Sequence, residues 1–265
     1  MISFVKKLLA KSLGLKAYLK VISRGYFILY RLGFLNEKYP ENHLIQRFVK
    51  KGDYVIDLGA NLGYYTIPLS QLVGPDGKVW AVEPIPIFNE VLEANKSQSP
   101  NPQNIIQFPY AMGDEDEQVI TMQIPVQDGM IRHGLSAVQR ESAKGVEYKT
   151  YQVTSYNPAT LFKDVEKVDF IKCDVEGYEG HVIPHLKSLI AANKPILQVE
   201  IGSVENRELI YNMLEPLGYT IYGLQYPNLL KGANVINEAV SDFYFVPENR
   251  LSAFEKDIGL AIKAV

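Results

Sequence analysis

The chain has 265 residues, 47% hydrophobic and 22% charged, and its 11 Phe, 17 Tyr and one Trp supply core material that a disordered chain lacks. A formal net charge of −3 argues against a nucleic-acid partner held by bulk electrostatics. A single cysteine, Cys173, excludes an intrachain disulfide and a cysteine-based zinc site, so nothing asks for an oxidising compartment and a cytoplasmic location is the default.

Residues 1–50 read as a basic helical extension. Residues 1–31 carry Lys6, Lys7, Lys11, Lys16, Lys20, Arg24 and Arg31 and no acid, which leaves 20 bases against 30 acids for the rest of the chain. The four N-terminal lysines break the apolar run that a signal peptide or a membrane span would need. Val5, Leu8, Leu15, Leu19 and Ile22 recur at three- and four-residue spacing, with Ser12 in the gap. This composition suits either peripheral contact with an anionic membrane or acidic glycolipid through residues 1–31, or a cap helix packed on the domain or on a partner subunit.

From 51 to 250 the text reads as one domain, with short apolar runs at 54–58, 78–82, 105–108, 168–173 and 196–199. Helix-period segments at 64–73, 87–95, 179–192 and 204–217 alternate with them, the rhythm of a parallel sheet with crossover helices. In the third of these Val182, Ile183, Leu186, Leu189 and Ile190 share a face. The segment 113–156 holds alternating stretches at 119–124 and 148–154, predicting an inserted strand pair with a loop at 128–138 on the substrate side of the sheet. Runs at 219–224 and 241–246 flank a turn-rich stretch, 226–237, and predict a closing antiparallel pair; 251–265 reads as a C-terminal tail.

After the first strand stands Asp57-Leu-Gly-Ala-Asn-Leu-Gly-Tyr-Tyr-Thr66. Gly59 and Gly63 allow a tight turn and close approach of a ligand. The Gly-x-x-x-Gly spacing lacks the middle glycine of a dinucleotide fingerprint, and a carboxylate at Asp57 aimed into the turn would repel a pyrophosphate but attract an ammonium. Glu83 ends the second strand, where a carboxylate accepts hydrogen bonds from both hydroxyls of a ribose. A glycine-rich turn alone is also what a plain strand-to-helix connection looks like. The strand context and the two acids outline S-adenosylmethionine instead.

With VIDLGANLGYYT at 55–66, VWAVEPIPIFNEVLEAN at 79–95, AMGD at 111–114, VDFIKCDVEGYE at 168–179, ILQVEIG at 196–202 and DFYFVP at 242–247, the chain resembles the FkbM-type S-adenosylmethionine-dependent methyltransferases over most of residues 53–247. The first and fourth pieces are the specific ones. The resemblance implies an α/β, Rossmann-like seven-stranded methyltransferase sheet, mostly parallel with its last strand antiparallel, behind an N-terminal helical extension. It also implies O-methyl transfer to sugars, polyketides and related metabolites. By the same resemblance Asp57, Gly59, Ala60, Asn61 and Gly63 cradle the methionine part, Glu83 and Pro84 the ribose end, and Ala111, Met112 and Asp114 the adenine edge, with Asp174 beside the methyl. The chain departs from the family at Thr154-Ser-Tyr-Asn157, where members carry a Leu-Asp pair, and in Gly-Leu-Ser-Ala137, both toward the acceptor.

Three acids follow the fourth strand in Lys172-Cys-Asp-Val-Glu-Gly-Tyr-Glu179. Asp174 and Glu176 share a face of extended chain, and one of them can serve as general base. Alternatively Asp174 and Glu200, at the end of the fifth strand, hold a divalent cation such as magnesium or manganese. Glu179 alone reads as a helix-start acid. Lys172, in a central strand, calls for a partner, Glu200 or Glu83. His133 in the inserted loop is placed to bind a sugar or accept a proton, whereas His181 and His185 flank Pro184 without a metal-binding glutamate and read as surface imidazoles. Cys173 reads as a buried small residue. The expected activity is therefore O-methylation of a small-molecule or glycan acceptor. A catalytically silent cofactor-fold scaffold is the alternative, and an NAD-dependent oxidoreductase is disfavoured by Asp57 and the missing glycine.

Overall fold

Nine strands form the main sheet of the computed structural model, which describes residues 12–127, 130–138 and 145–265. The residues Val5, Lys6, Lys7, Leu8 and Lys11, and the start of the expected inserted loop, lie outside the described residues. At the centre stand β1 (Tyr54–Leu58), β2 (Lys78–Val82), β3 (Ile105–Phe108), β9 (Phe170–Cys173) and β10 (Ile196–Glu200), all parallel, in the order β10-β9-β1-β2-β3. Their apolar runs are continuous because both faces are covered: Val55, Ile56 and Leu58 are all 0% exposed. Beyond β10 the order continues β13 (Asp242–Pro247), β11 (Tyr219–Gln225), β12 (Asn228–Lys231) and β14 (Ala261–Ala264). β13 runs antiparallel to both β10 and β11, as expected for the last strand of the methyltransferase sheet.

Seven strands thus match the expected sheet, and two more extend its edge. β12 lies inside the stretch read as turn, and β14 inside the segment read as a tail. Four residues are too few to establish an alternation amid Pro and Gly. Leu229 and Leu230 are nonetheless buried, and the parallel pairing with β12 is what holds the chain end in the sheet.

Successive strand residues point to opposite faces. Ile56, Leu58, Ile171 and Val199 meet Val182, Ile183, Leu186 and Ile190 on one side. The helix expected there over 179–192 is two short ones, α6 (Glu179–His185) and α7 (Lys187–Asn193), with Pro184 inside the first. On the other side α2 (Pro40–Phe48), α3 (Thr66–Val73) and α9 (Leu251–Asp257) cover Val55, Val79, Phe170 and Tyr244.

The insertion forms a second sheet. β5 (Gln118–Gln127) and β8 (Glu147–Tyr156) pair antiparallel, and β4 (Ala111–Met112) joins β8 in parallel. The loop adds β6 (Met130–Ile131) and β7 (Ala137–Val138) against β5, each too short to leave a pattern in the sequence. Met122, Ile124 and Val153 of this sheet share a core with Tyr18 and Leu19 of α1 (Leu15–Arg31) and with Phe88 and Val91 of α4 (Pro86–Asn95).

The stripe of the basic extension, where it is described, therefore packs inward: Leu19 is 0% exposed, and Leu15 and Ile22 pack against the same core. Replacing Leu19 by Ala should destabilise the fold by about 2–5 kcal/mol in denaturant titration, whereas Val21→Ala on the opposite face should stay within about 0.5 kcal/mol of wild type.

Candidate active site

The turn after β1 is held by Gly59 and Ala60, whose N–H groups both donate to the carbonyl of Val82, at 3.1 and 2.9 Å. Gly59 has φ +86°, and a Cβ there would run into the carbonyl oxygen of Asp174. The loops after β1 and β9 are thus in backbone contact, closed also by Asp174 N donating to Leu58 O at 3.0 Å. Gly63 serves a different end: a Cβ at its φ of +93° would strike Leu92, so it lets α4 approach the turn and does not line the cavity.

Asp57 corrects the expectation of an acid aimed into the turn. It is 1% exposed beneath it and accepts a 2.6 Å hydrogen bond from the Thr66 hydroxyl. The acid that does face the cavity on this side is Glu83. Its Oε2 accepts from Asn61 N and its Oε1 from Ile85 N, each at 2.8 Å, so one lone pair on each oxygen is committed to the turn. Burial pushes the Glu83 carboxyl up to about 8 against the pull of these two N–H groups. Asn61 links upward as well, its side-chain amide donating to the His133 carbonyl at 2.6 Å. His133 therefore roofs the turn, its ring 6.0 Å from that of Tyr64 and 6.3 Å from that of Phe88.

Across the cavity the loop after β9 carries the other acids. Glu179 is 1% exposed and its Oε1 accepts from Val175 N and Gly177 N at 3.1 and 2.9 Å, drawing the loop into a tight turn. Glu176 adopts φ +54° there, an uncommon conformation for a residue with a Cβ, and borders the cavity. Burial and the charges of Asp174 and Glu200 push Glu176 up to about 8. Glu200 rises to about 7 through burial and the charge of Asp174.

Lys172 is 2% exposed and its ammonium lies 3.5 Å from Asp174 Oδ2 and 4.9 Å from the Tyr65 ring centroid. Asp174, and not Glu83, is its direct partner. Burial alone would pull this lysine down, but Asp174, Asp242 and Glu200 together hold it above the ordinary lysine range.

Among the described residues no group of three or more His, Cys, Asp or Glu side chains is arranged to hold a metal ion. The expected cation between Asp174 and Glu200 finds no such ligand set, and the positive charge within this acidic group is the Lys172 ammonium. One further expectation changes. Asp114 turns from the adenine edge to His185, with 2.9 Å between Oδ1 and Nε2, and His185 also contacts Asn157 at 3.2 Å. His181 is exposed, as expected of a surface imidazole, and stacks on Tyr178 with ring centroids 4.4 Å apart.

These parts wall one cavity of about 1070 Å³. Ligand pockets run to roughly 300–1,000 Å³, so this one lies at the upper end of that range. Its lining divides into two groups, a first and a second arm: Glu83, Pro84, Ala111 and Met112 with Gly59, Ala60 and Asn61, and Asp174, Glu176 and Glu200 with residues of the N-terminal helices. S-adenosylmethionine fits the first arm: Glu83 offers an acid to ribose hydroxyls, and Pro84, Ala111 and Met112 give an apolar wall. Sequence reasoning missed Glu41, Tyr26, Tyr39 and Tyr64, which border the second arm. Asn42, 2% exposed on α2, donates to Tyr26 Oη at 3.0 Å and to the backbone carbonyl of Tyr64 at 2.9 Å, and so fixes the Tyr26 ring against the turn that carries Tyr64. Burial and the charge of Asp242 push Glu41 up to about 7. No local pattern marks Glu41, Tyr26 and Tyr39, since only the packing of the N-terminal helices brings them to the motif, in which Tyr64 already stands.

The family model described as Methyltransferase FkbM domain matches residues 57–221, and the chain belongs to that family of S-adenosylmethionine-dependent methyltransferases. Among curated proteins none matches. Solved structures similar to it include an FkbM methyltransferase from Methylobacillus flagellatus, 18% identical with a TM-score of 0.47 over 73% of this chain and 43% of that one. An S-adenosylmethionine-dependent O-methyltransferase from Thermotoga maritima is 15% identical, TM-score 0.42, over 78% and 65% of the two chains. Fibrillarin from Aeropyrum pernix, solved with S-adenosyl-L-methionine, is 15% identical, TM-score 0.43, over 75% and 67%. The chain thus spans less than half the length of the first of these.

Glu41, Glu83, Glu176 and Glu200 keep protons in the folded chain that the unfolded chain releases near pH 4.5. Folded-state values raised in this way make stability fall as pH rises between about 4.5 and 8. Glu176→Gln, neutral throughout, should lessen the loss of melting temperature over that window relative to wild type, read by scanning calorimetry without ligand.

Proposed function

We propose that this methyltransferase is an O-methyltransferase acting on a hydroxyl of a glycan or small metabolite. The observation that carries the reading is the convergence of Glu176 and Glu200 on the cavity wall beside the Gly59–Asp174 contact, where burial and the charge of Asp174 raise both carboxyls above their ordinary range. An attacking hydroxyl must shed its proton, and a carboxylate whose pKa lies near neutral is matched to receive it. A catalytically silent scaffold would have no use for two such carboxylates in one cavity.

Bound S-adenosylmethionine would supply an electrophilic methyl on its sulfonium. Glu83 would take the ribose hydroxyls on the lone pairs that Asn61 and Ile85 leave free, with Pro84 beside it. Ala111 and Met112 would line the adenine edge, and Gly59, Ala60 and Asn61 the methionine part. Lys172 stays protonated and holds Asp174 in place, so that Glu176 and Glu200, which also line the cavity, are left to meet the acceptor. His133, anchored by Asn61, would close the roof over the reacting centre and help orient the acceptor. The greater part of the acceleration on this reading is alignment of the two substrates.

The tyrosines of the second arm support a sugar-like acceptor, because flat rings pack against the C–H face of a pyranose while carboxylates accept from its hydroxyls.

Two measurements test the reading. Glu83→Gln keeps the shape but replaces one acceptor oxygen by a donor, so calorimetric affinity for S-adenosylmethionine should fall about tenfold, the equivalent of roughly 1.5 kcal/mol. Methyl transfer from labelled S-adenosylmethionine should appear in a panel of free and lipid-linked saccharides. Glu176→Gln and Glu200→Gln together should lower its kcat about 10²–10⁴-fold while the cofactor's dissociation constant stays within threefold, roughly the scatter expected of a neutral change. Transfer to amines alone, or undiminished transfer in the double variant, would remove the proposed base.

A further inference from the structure

The inward stripe of α1 leaves a second row of apolar side chains facing solvent. Val21 is 50% exposed, Ile28 54%, Leu32 63% and Phe34 73%, with Leu13 and Leu29 also above 40%. At 100° per residue Val21, Ile28 and Leu32 fall within about 40° of one another, forming a ridge along the helix and its C-terminal turn. Lys20, Arg24 and Arg31 lie along one flank of that ridge. Residues 12–36 contain no acid. Leu29, on the other flank, also borders the cavity, so the ridge adjoins the mouth of the second arm.

Large exposed apolar side chains gathered on one helix are unusual on a monomer's surface and mark a docking site. We propose that this face of α1 docks on an anionic lipid bilayer. Charge selects that occupant. A second copy meeting the same ridge antiparallel across a two-fold axis would bring Lys20, Arg24 and Arg31 onto the side of their own equivalents, an unfavourable juxtaposition, and a parallel one would leave both basic flanks without a counter-charge, since residues 12–36 contain no acid. An anionic headgroup layer instead neutralises the flank while the ridge enters the acyl boundary, the manner of an interfacial amphipathic helix. Among the described residues no helix is long and apolar enough to cross a membrane, so the contact is one of lying in the surface. Two apolar faces on one helix divide the work: Leu19 and Phe27 hold α1 to the domain, and Val21, Ile28 and Leu32 remain for the bilayer.

The test is flotation of the full chain with vesicles of phosphatidylcholine, with and without phosphatidylglycerol, at low and physiological salt. The wild type should float with the anionic vesicles, less so at the higher salt, and not with the neutral ones. Ile28→Glu with Leu32→Glu should weaken that partition by at least about tenfold. Its melting temperature and its affinity for S-adenosylmethionine should stay those of wild type, because neither residue borders the cavity. Should that variant not fold, Lys20→Glu with Arg24→Glu carries the same test through the charges. Failure of the wild type to float, or equal flotation of the variants, would overturn the proposal and in the second case assign lipid binding to residues 1–11. A concentration-dependent dimer that the ridge variants dissolve, without lipid binding, would overturn it in favour of a contact between copies. Loss of cofactor affinity bears only on the proposed activity, and loss of flotation only on the docking face.

Discussion

One buried ammonium organises the chemistry of this molecule. Lys172 lies in the central strand of the sheet at 2% exposure, where an unpaired charge would cost several kcal/mol. It is tolerated because Asp174 lies within reach and Asp242 and Glu200 stand close enough to outweigh the loss of water. The compensation exceeds neutrality. More acids converge than one ammonium can satisfy, and the surplus repulsion, added to burial, raises Glu176, Glu200 and Glu41 into the neutral range. The same lysine that makes the acidic cluster stable therefore leaves its outer members able to exchange protons near neutral pH.

The cavity is built by segments far apart in the chain. The sheet supplies the floor through the turn after β1 and the loop after β9, the insertion supplies the roof through His133, and α1 and α2 supply the aromatic wall. Each is tied to the next by few but specific bonds. Asn42 joins α2 to Tyr26 and Tyr64, and Asn95 of α4 donates to Leu62 O and Ser23 Oγ, joining α1 to the turn. These amides are buried, so breaking a bond strands a polar group away from water. The N-terminal helices are part of the site wall as much as of its support.

What was legible in the sequence follows the range over which its physics acts. The parallel strands could be read because double burial writes a continuous apolar run, and the β5–β8 ladder because one-sided burial writes an alternation. Glu83 was recognisable as a cavity acid because strand end and turn are near neighbours in the chain. Asp57 was misdirected: side-chain orientation at the end of a strand depends on register, and in the actual pairing it faces down to Thr66. Lys172 was seen to need a partner, but which of several acids lay 3.5 Å away was a matter of tertiary geometry. Glu41, Tyr26 and Tyr39 leave no trace, since nothing local distinguishes a wall residue from any other amphipathic position. The inward stripe of α1 was visible as periodicity, whereas the outward ridge became visible only once the inward face was occupied.

Asn61 shows how floor and roof act together. Its φ of +50° is uncommon for a residue with a side chain, and two bonds hold it there: its backbone N–H on Glu83 and its amide on the His133 carbonyl. The same residue thus ties the carboxylate that closes the turn to the loop that carries His133, so floor and roof share one anchor. Asparagine suits the position, because its short polar side chain tolerates the left-handed region better than most residues and here also supplies the bond to the roof.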